Sequence, residues 1–117
     1  MGRLMRLQAE IAAAEGRAWA WGVHDCVTFA TRAAGVSTPW RWGSAREAAC
    51  LLRRLGGMRA GAVSLLGAPR PAALCAPGDL VLRDGALGVA VDHRAVFAAP
   101  VGVAFVPLRD CNVGWRV

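Results

Sequence analysis

A chain of 117 residues with a formal net charge of +6, 56% hydrophobic and 19% charged residues has the size of one domain, 1–117, and is too apolar for a disordered tail. No Gly-x-x period or sustained heptad run is present, which excludes collagen-like and coiled-coil chains. The 14 basic residues are all Arg and give a pI near 10.9, but only Arg53 and Arg54 are adjacent, and without a basic cluster no nucleic-acid partner is expected.

Leu4, Leu7, Ile11, Ala14 and Ala18 fall on one stripe at helical spacing. They predict an N-terminal helix that Gly16 ends or frays. Arg3, Arg6, Gln8 and Glu10 form its solvated face. The segment 1–17 carries charges throughout and has no apolar h-region, so no secretory signal is expected. Residues 19–26 have no helical period and read as a loop. Asp25 is a good N-cap for a second helix, Cys26–Ala34, and Gly35 stops it. Cys26, Phe29, Ala30 and Ala33 share one face of that helix. Residues 36–43 form a further loop holding Pro39, Trp40 and Trp42. Ser44 and Glu47 make a capping box that opens a third helix, with Ala48, Leu51, Leu52 and Leu55 inward and Gly56-Gly57 at its end.

Residues 58–77 read as a loose connection with a short helix at 63–66 and breaks at Pro69 and Pro71. Pro77-Gly78-Asp79 is a turn. Residues 80–83 and 87–91 flank Asp84-Gly85, a strong hairpin signal. Strands at 96–97 and 103–106 follow, and a final edge strand at 115–117. The apolar stretch 95–108 is broken by Pro100, Gly102 and Pro107 and is too short for a membrane-spanning helix. Helices first and a small antiparallel sheet after them make an α+β fold.

The four cysteines, Cys26, Cys50, Cys75 and Cys111, are widely spaced and form no Cys-x-x-Cys pair. Neither a metal site nor a cofactor is expected. Without an export signal they read as free, small buried hydrophobes. Cys26 is the one with a second reading. The first turn of a helix offers unpaired amides and the positive end of the dipole, and both favour the nucleophilic thiolate. On the residues alone, a structural cysteine and a nucleophile are both open.

Four segments in order carry a resemblance: Trp21-Gly22-x-x-Asp25-Cys26, Gly78-Asp79, Leu87-Gly88-Val89 and Trp115-Arg116-Val117. Together they resemble the NlpC/P60 superfamily of papain-like cell-wall peptidases, and more closely its small relatives in the tail gene clusters of phages and gene transfer agents. The resemblance covers nearly the whole chain. It implies a minimal papain-like fold, with a central Cys26 helix packed on a small antiparallel sheet. It also implies three catalytic parts: Cys26 as nucleophile, a His on the second strand as general base, and a polar residue that orients the His. Active members read His-Val-Gly-Ile on that strand. Here Ala86-Leu87-Gly88-Val89 stands there, so Ala86 occupies a vacant base position. The next strand, Val96-Phe97-Ala98, supplies no orienting group. His24 and His93 are the remaining candidate bases. His93 lies ~20 Å along a straight strand from Ala86, and His24, two positions before Cys26, points in another direction.

Trp21, Trp40 and Trp42 flank the Cys26 helix together with Trp19. With Arg41 they read as a binding surface, either an aromatic wall for glycan or peptide or an anchor in a protein interface; capping a small core is the other reading. The resemblance implies a tail-tip component, in the distal hub or baseplate of a tailed phage or gene-transfer particle. Such a chain would be assembled in the host cytoplasm and carried in the virion, with a degenerate peptidase site. Other tail-tip and hub proteins, and peptidoglycan, are the partners this implies. Whether the chain is an enzyme stays open: an active murein endopeptidase or amidase with Cys26 as nucleophile is one alternative. A free cytoplasmic binding module is the other.

Overall fold

The computed structural model describes residues 2–117. Within them the chain forms four helices, α1 (Arg3–Ala14), α2 (Cys26–Ala34), α3 (Ala45–Leu55) and α4 (Met58–Leu66), followed by six strands, β1 (Arg70–Pro71), β2 (Leu80–Arg83), β3 (Ala86–Ala90), β4 (Arg94–Ala98), β5 (Val103–Pro107) and β6 (Val113–Trp115). The strands make one antiparallel sheet in the order β1-β6-β2-β3-β4-β5. The α+β architecture expected from the sequence is the one observed.

The helix ends follow from local chemistry. Asp25 accepts from the Thr28 amide at 2.8 Å and starts α2, and Gly35 ends it at φ 72°. Ser44 accepts from the Glu47 amide at 3.1 Å and starts α3. The Glu47 carboxylate closes the box one residue early, on the Gly43 amide at 2.9 Å, instead of the amide of Ser44. α1 ends sooner than its stripe. Ala18 leaves the helix and bridges Val101, because Gly16 turns the chain at φ 76°.

α4 begins at Met58, well before the short helix expected at 63–66. Its own sequence signal is weak because Gly61 sits inside it. That glycine is a packing requirement: a Cβ there would lie 3.0 Å from Leu55 Cδ1 and 3.4 Å from Trp40. Burial of Met58 and Ala62 then outweighs the poor propensity. β6 is also displaced. It covers 113–115 instead of 115–117, and it lies inside the sheet between β1 and β2, with Trp115 opposite Leu80. It is therefore not an edge strand.

The ladder register sorts the strands into two faces. Leu80, Leu82, Leu87, Val89, Val96 and Trp115 pack with Leu7, Phe29, Ala30 and Ala33 of the helices. Val81, Ala90, Ala95 and Phe97 face the other way, onto Ala72, Cys75, Leu108 and Cys111 from two 3-10 turns (Ala72–Leu74 and Leu108–Asp110). Cys75 and Cys111 are buried as expected, whereas Cys50 is half-exposed on α3 beside Arg53. One ionic clasp ties the helical layer to the sheet. Arg3 of α1 donates to the buried Asp79 carboxylate and to the Val117 carbonyl, while Asp79 also accepts from the amides of Ala76 and Val117.

Candidate functional site

The segment Trp21-Gly22-Val23-His24-Asp25-Cys26 folds as a tight loop into α2. The amides of Val23 and His24 both return to the Ala20 carbonyl. Gly22 sits at φ 77°, and a Cβ on it would come 2.5 Å from the Trp42 carbonyl oxygen. Only glycine fits both conditions. Asp25 is 2% exposed and takes three donors: Thr28 N on Oδ1, and Gly22 N and Trp42 Nε1 on Oδ2, the last two at 2.7 Å each. The N-cap predicted from sequence is therefore also the clasp that fastens the 36–43 loop to the start of α2.

Cys26 is the first residue of α2 and is half-buried against β3, where the Leu87 amide approaches its sulfur. Burial pushes the thiol above its ordinary pKa. The Leu87 amide opposes the rise, the Asp25 carboxylate adds to it, and the amides of Val27 and Cys26 oppose it. Burial wins, so the helix-start effect expected from sequence does not yield a thiolate.

The other predicted catalytic positions do not converge on this sulfur. Ala86 pairs with Arg83 in register with Val81 and Gly88, and packs on the layer away from α2. Side chains alternate along a strand, so the Cys26-facing residues of β3 are Leu87 and Val89. Position 86 thus lies on the sheet face away from the Cys26 helix. His24 is 1% exposed, and its Nε2 lies 2.9 Å from the Gly102 carbonyl, with Trp19 and Phe29 edge-on to its ring. It is a core histidine. His93 projects from the β3–β4 connection, 85% exposed and 3.5 Å from Asp92. The groups acting on the Cys26 thiol are backbone amides and one carboxylate.

The aromatic loops do come together. Trp21, Trp40 and Trp42 join Cys26, Leu51 and Leu52 around an apolar cavity of about 60 Å³, room for about two waters. The exposed side of Trp40 and Trp42 borders an open groove of about 700 Å³ with Thr28, Arg32, Thr38 and Arg41. Arg41 Nη1 donates to the carbonyls of Thr38 and Trp40 at 3.1 and 2.8 Å and holds the loop in shape. Thr28, Arg32 and Thr38 were not legible as groove residues. The signal for two of them was their spacing: Thr28 and Arg32 stand one turn apart on α2 and share a face.

A family model described as a domain of unknown function, DUF6950, matches residues 3–117. The chain belongs to the DUF6950 family. Among curated proteins none matches it. Among the described residues of this DUF6950 domain no cluster of His, Cys, Asp and Glu could hold a metal ion, and no helix is long and apolar enough to cross a membrane.

The DUF6950 site thus offers a protonated thiol in an apolar niche, which is a poor nucleophile at neutral pH. Alkylation of Cys26 by iodoacetamide is expected to be slow at pH 7 and to rise only above the ordinary thiol range. Peptide mass spectrometry against pH measures this directly. A fast reaction at pH 7 would show that the thiolate is stabilised after all.

Proposed function

We propose that this chain is a structural component of the tail tip of a phage or gene-transfer particle, built on a minimal papain-like scaffold whose catalytic site is degenerate. Four sequence segments in NlpC/P60 order support the scaffold, as does a cysteine at the start of a helix that lies on an antiparallel sheet. The observation that carries the degenerate site is the surroundings of Cys26. Its thiol is raised by burial, and the two histidines are committed elsewhere, one to the Gly102 carbonyl and one to solvent beside Asp92. General-base catalysis worth roughly 10²–10⁴-fold is missing without such a partner. What the scaffold keeps is a surface: indoles and guanidinium groups around an open groove, residue types enriched where proteins meet.

Two measurements test this together. Purified protein and its Cys26→Ala variant are incubated with peptidoglycan, and soluble muropeptides are analysed by mass spectrometry. Both should release no more than buffer alone. Cys26-dependent fragments would overturn the degenerate site and favour the endopeptidase or amidase alternative. Particles from a producing host are then fractionated from the soluble lysate. The chain should travel with the particles, and its confinement to the soluble fraction would favour the free binding module.

A further inference from the structure

The groove of about 700 Å³ beside Trp40 and Trp42 has two walls. α2 supplies one, with Thr28 and Arg32 one turn apart on the same face. The 36–43 loop supplies the other, with Thr38, Trp40, Arg41 and Trp42. Arg32 and Arg41 are both exposed. Among the described residues neither has a carboxylate partner, whereas Arg3, Arg94 and Arg109 each have one. No acidic residue lines the groove. Asp25, bonded to Thr28 and Trp42, is 2% exposed, and its two oxygens already take three donors. Glu47 accepts from the Gly43 amide at the start of α3. The chain itself therefore leaves the two groove arginines without a counter-charge.

The loop wall is fixed in advance. Arg41 Nη1 is held by the carbonyls of Thr38 and Trp40, which leaves Nε and Nη2 as donors. Trp42 Nε1 is held by Asp25. A ligand meets a guanidinium already in place, and less side-chain entropy is lost when it pairs.

We infer that this groove docks an acidic segment of a partner protein. Carboxylates of the segment pair with Arg32 on one wall and Arg41 on the other, and its chain lies against the Trp40 and Trp42 rings. A guanidinium fork matches a carboxylate in shape as well as charge. The indoles offer broad contact to a peptide backbone and to the methylenes of Glu. The net charge of +6 steers an acidic partner toward the chain and repels a basic one. A nucleic acid fits less well, because it is held through many phosphates and needs a basic stripe, whereas this groove has two arginines. The inference rests on the reading of this groove as a protein contact. It does not depend on the particle, whose fractionation test stands apart, so either can fail alone.

Fluorescence anisotropy of the whole chain with a labelled peptide of alternating Glu and Gly tests it, the peptide being about eight residues long, or ~26 Å when extended. At low salt the dissociation constant should be ~10–100 µM, and it should rise as salt screens the pairs. Arg32→Glu alters an exposed side chain without an ion pair, so the circular dichroism spectrum should stay and the affinity should fall at least ~10-fold. Arg41→Gln should weaken binding as well, and Arg32→Glu keeps the test decisive if that loop is disturbed. Arg53→Gln/Arg54→Gln removes as much charge or more from α3, outside the groove, and should leave the affinity within ~2-fold of wild type. No binding by wild type overturns the inference. So does equal binding of a Gln-Gly peptide, or an Arg53→Gln/Arg54→Gln loss as large as that of Arg32→Glu. Tighter binding of an oligothymidylate of the same charge overturns it in favour of nucleic acid.

Discussion

Asp25→Ala is expected to lower stability by about 3 kcal/mol, the sum of a lost N-cap of ~1 kcal/mol and two further stranded donors at ~1 kcal/mol each. The three donors are the Thr28 amide, the Gly22 amide and Trp42 Nε1. For a domain of this size the melting temperature should fall by roughly 10–15 °C. The loss is not confined to α2. The Trp42 loop is held by the same carboxylate, so tryptophan fluorescence should change in the native baseline before the main transition. Asp25→Asn keeps one acceptor oxygen for the cap and should cost only about 1 kcal/mol. It also removes the negative charge that helps to raise the Cys26 thiol. Alkylation of Cys26 in this variant should therefore shift to lower pH. An Asp25→Ala protein with wild-type stability would show that water replaces the carboxylate and that the clasp is incidental.

Asp79→Ala should destabilise the chain by about 3 kcal/mol, near the lower end for breaking a buried ion pair, because Arg3 is 38% exposed and keeps part of its hydration. Burial alone would raise the Asp79 carboxyl, but the Ala76 amide, the Arg3 guanidinium and the Val117 amide outweigh it and hold the group below the ordinary carboxylate range. The consequence for pH has a definite sign. A carboxyl depressed in the folded state stabilises the fold above its unfolded value of ~3.9, and that contribution is lost as pH falls through the folded value. Urea unfolding at pH 7 and pH 3 should show the difference between wild type and Asp79→Ala shrinking toward acid. A gap that stays constant would mean that the clasp acts through packing and not through charge.

These two carboxylates also mark what the resemblance to cell-wall peptidases rests on. Of the quoted positions, Asp25, Gly22 and Asp79 are explained by folding: an N-cap, a close approach to the Trp42 carbonyl, and a tie between α1 and the sheet. A chain that lost its chemistry would still need all three. Their presence is accounted for by folding alone and carries no argument about chemistry at Cys26.

Local chemistry was legible in the sequence wherever one residue and its near neighbours settle the outcome. Asp25 and Gly35 bound α2, Ser44 and Gly56 bound α3, and Asp84-Gly85, both at positive φ, turn β2 into β3. The order of helices before strands followed from hydrophobic period, and so did the buried face of α2. α4 was not legible, because Gly61 weakens its propensity and only contact with Leu55 and Trp40 shows why a glycine belongs there. The position of β6 depended on pairing with β1 and β2, which no local pattern encodes.

The site divides along the same line. Sequence by itself determined that Cys26 opens a helix behind an aspartate cap and that two tryptophan loops flank it. Only the tertiary structure decided that Ala86 lies on the far face, that His24 is tied to Gly102, and that burial pushes the Cys26 thiol up. A cap is made by residues three apart, whereas strand register, burial and the field at a sulfur are set by residues distant in sequence. Which face of β3 carries position 86 changes with a one-residue slip in pairing, and that pairing is fixed by the whole buried sheet.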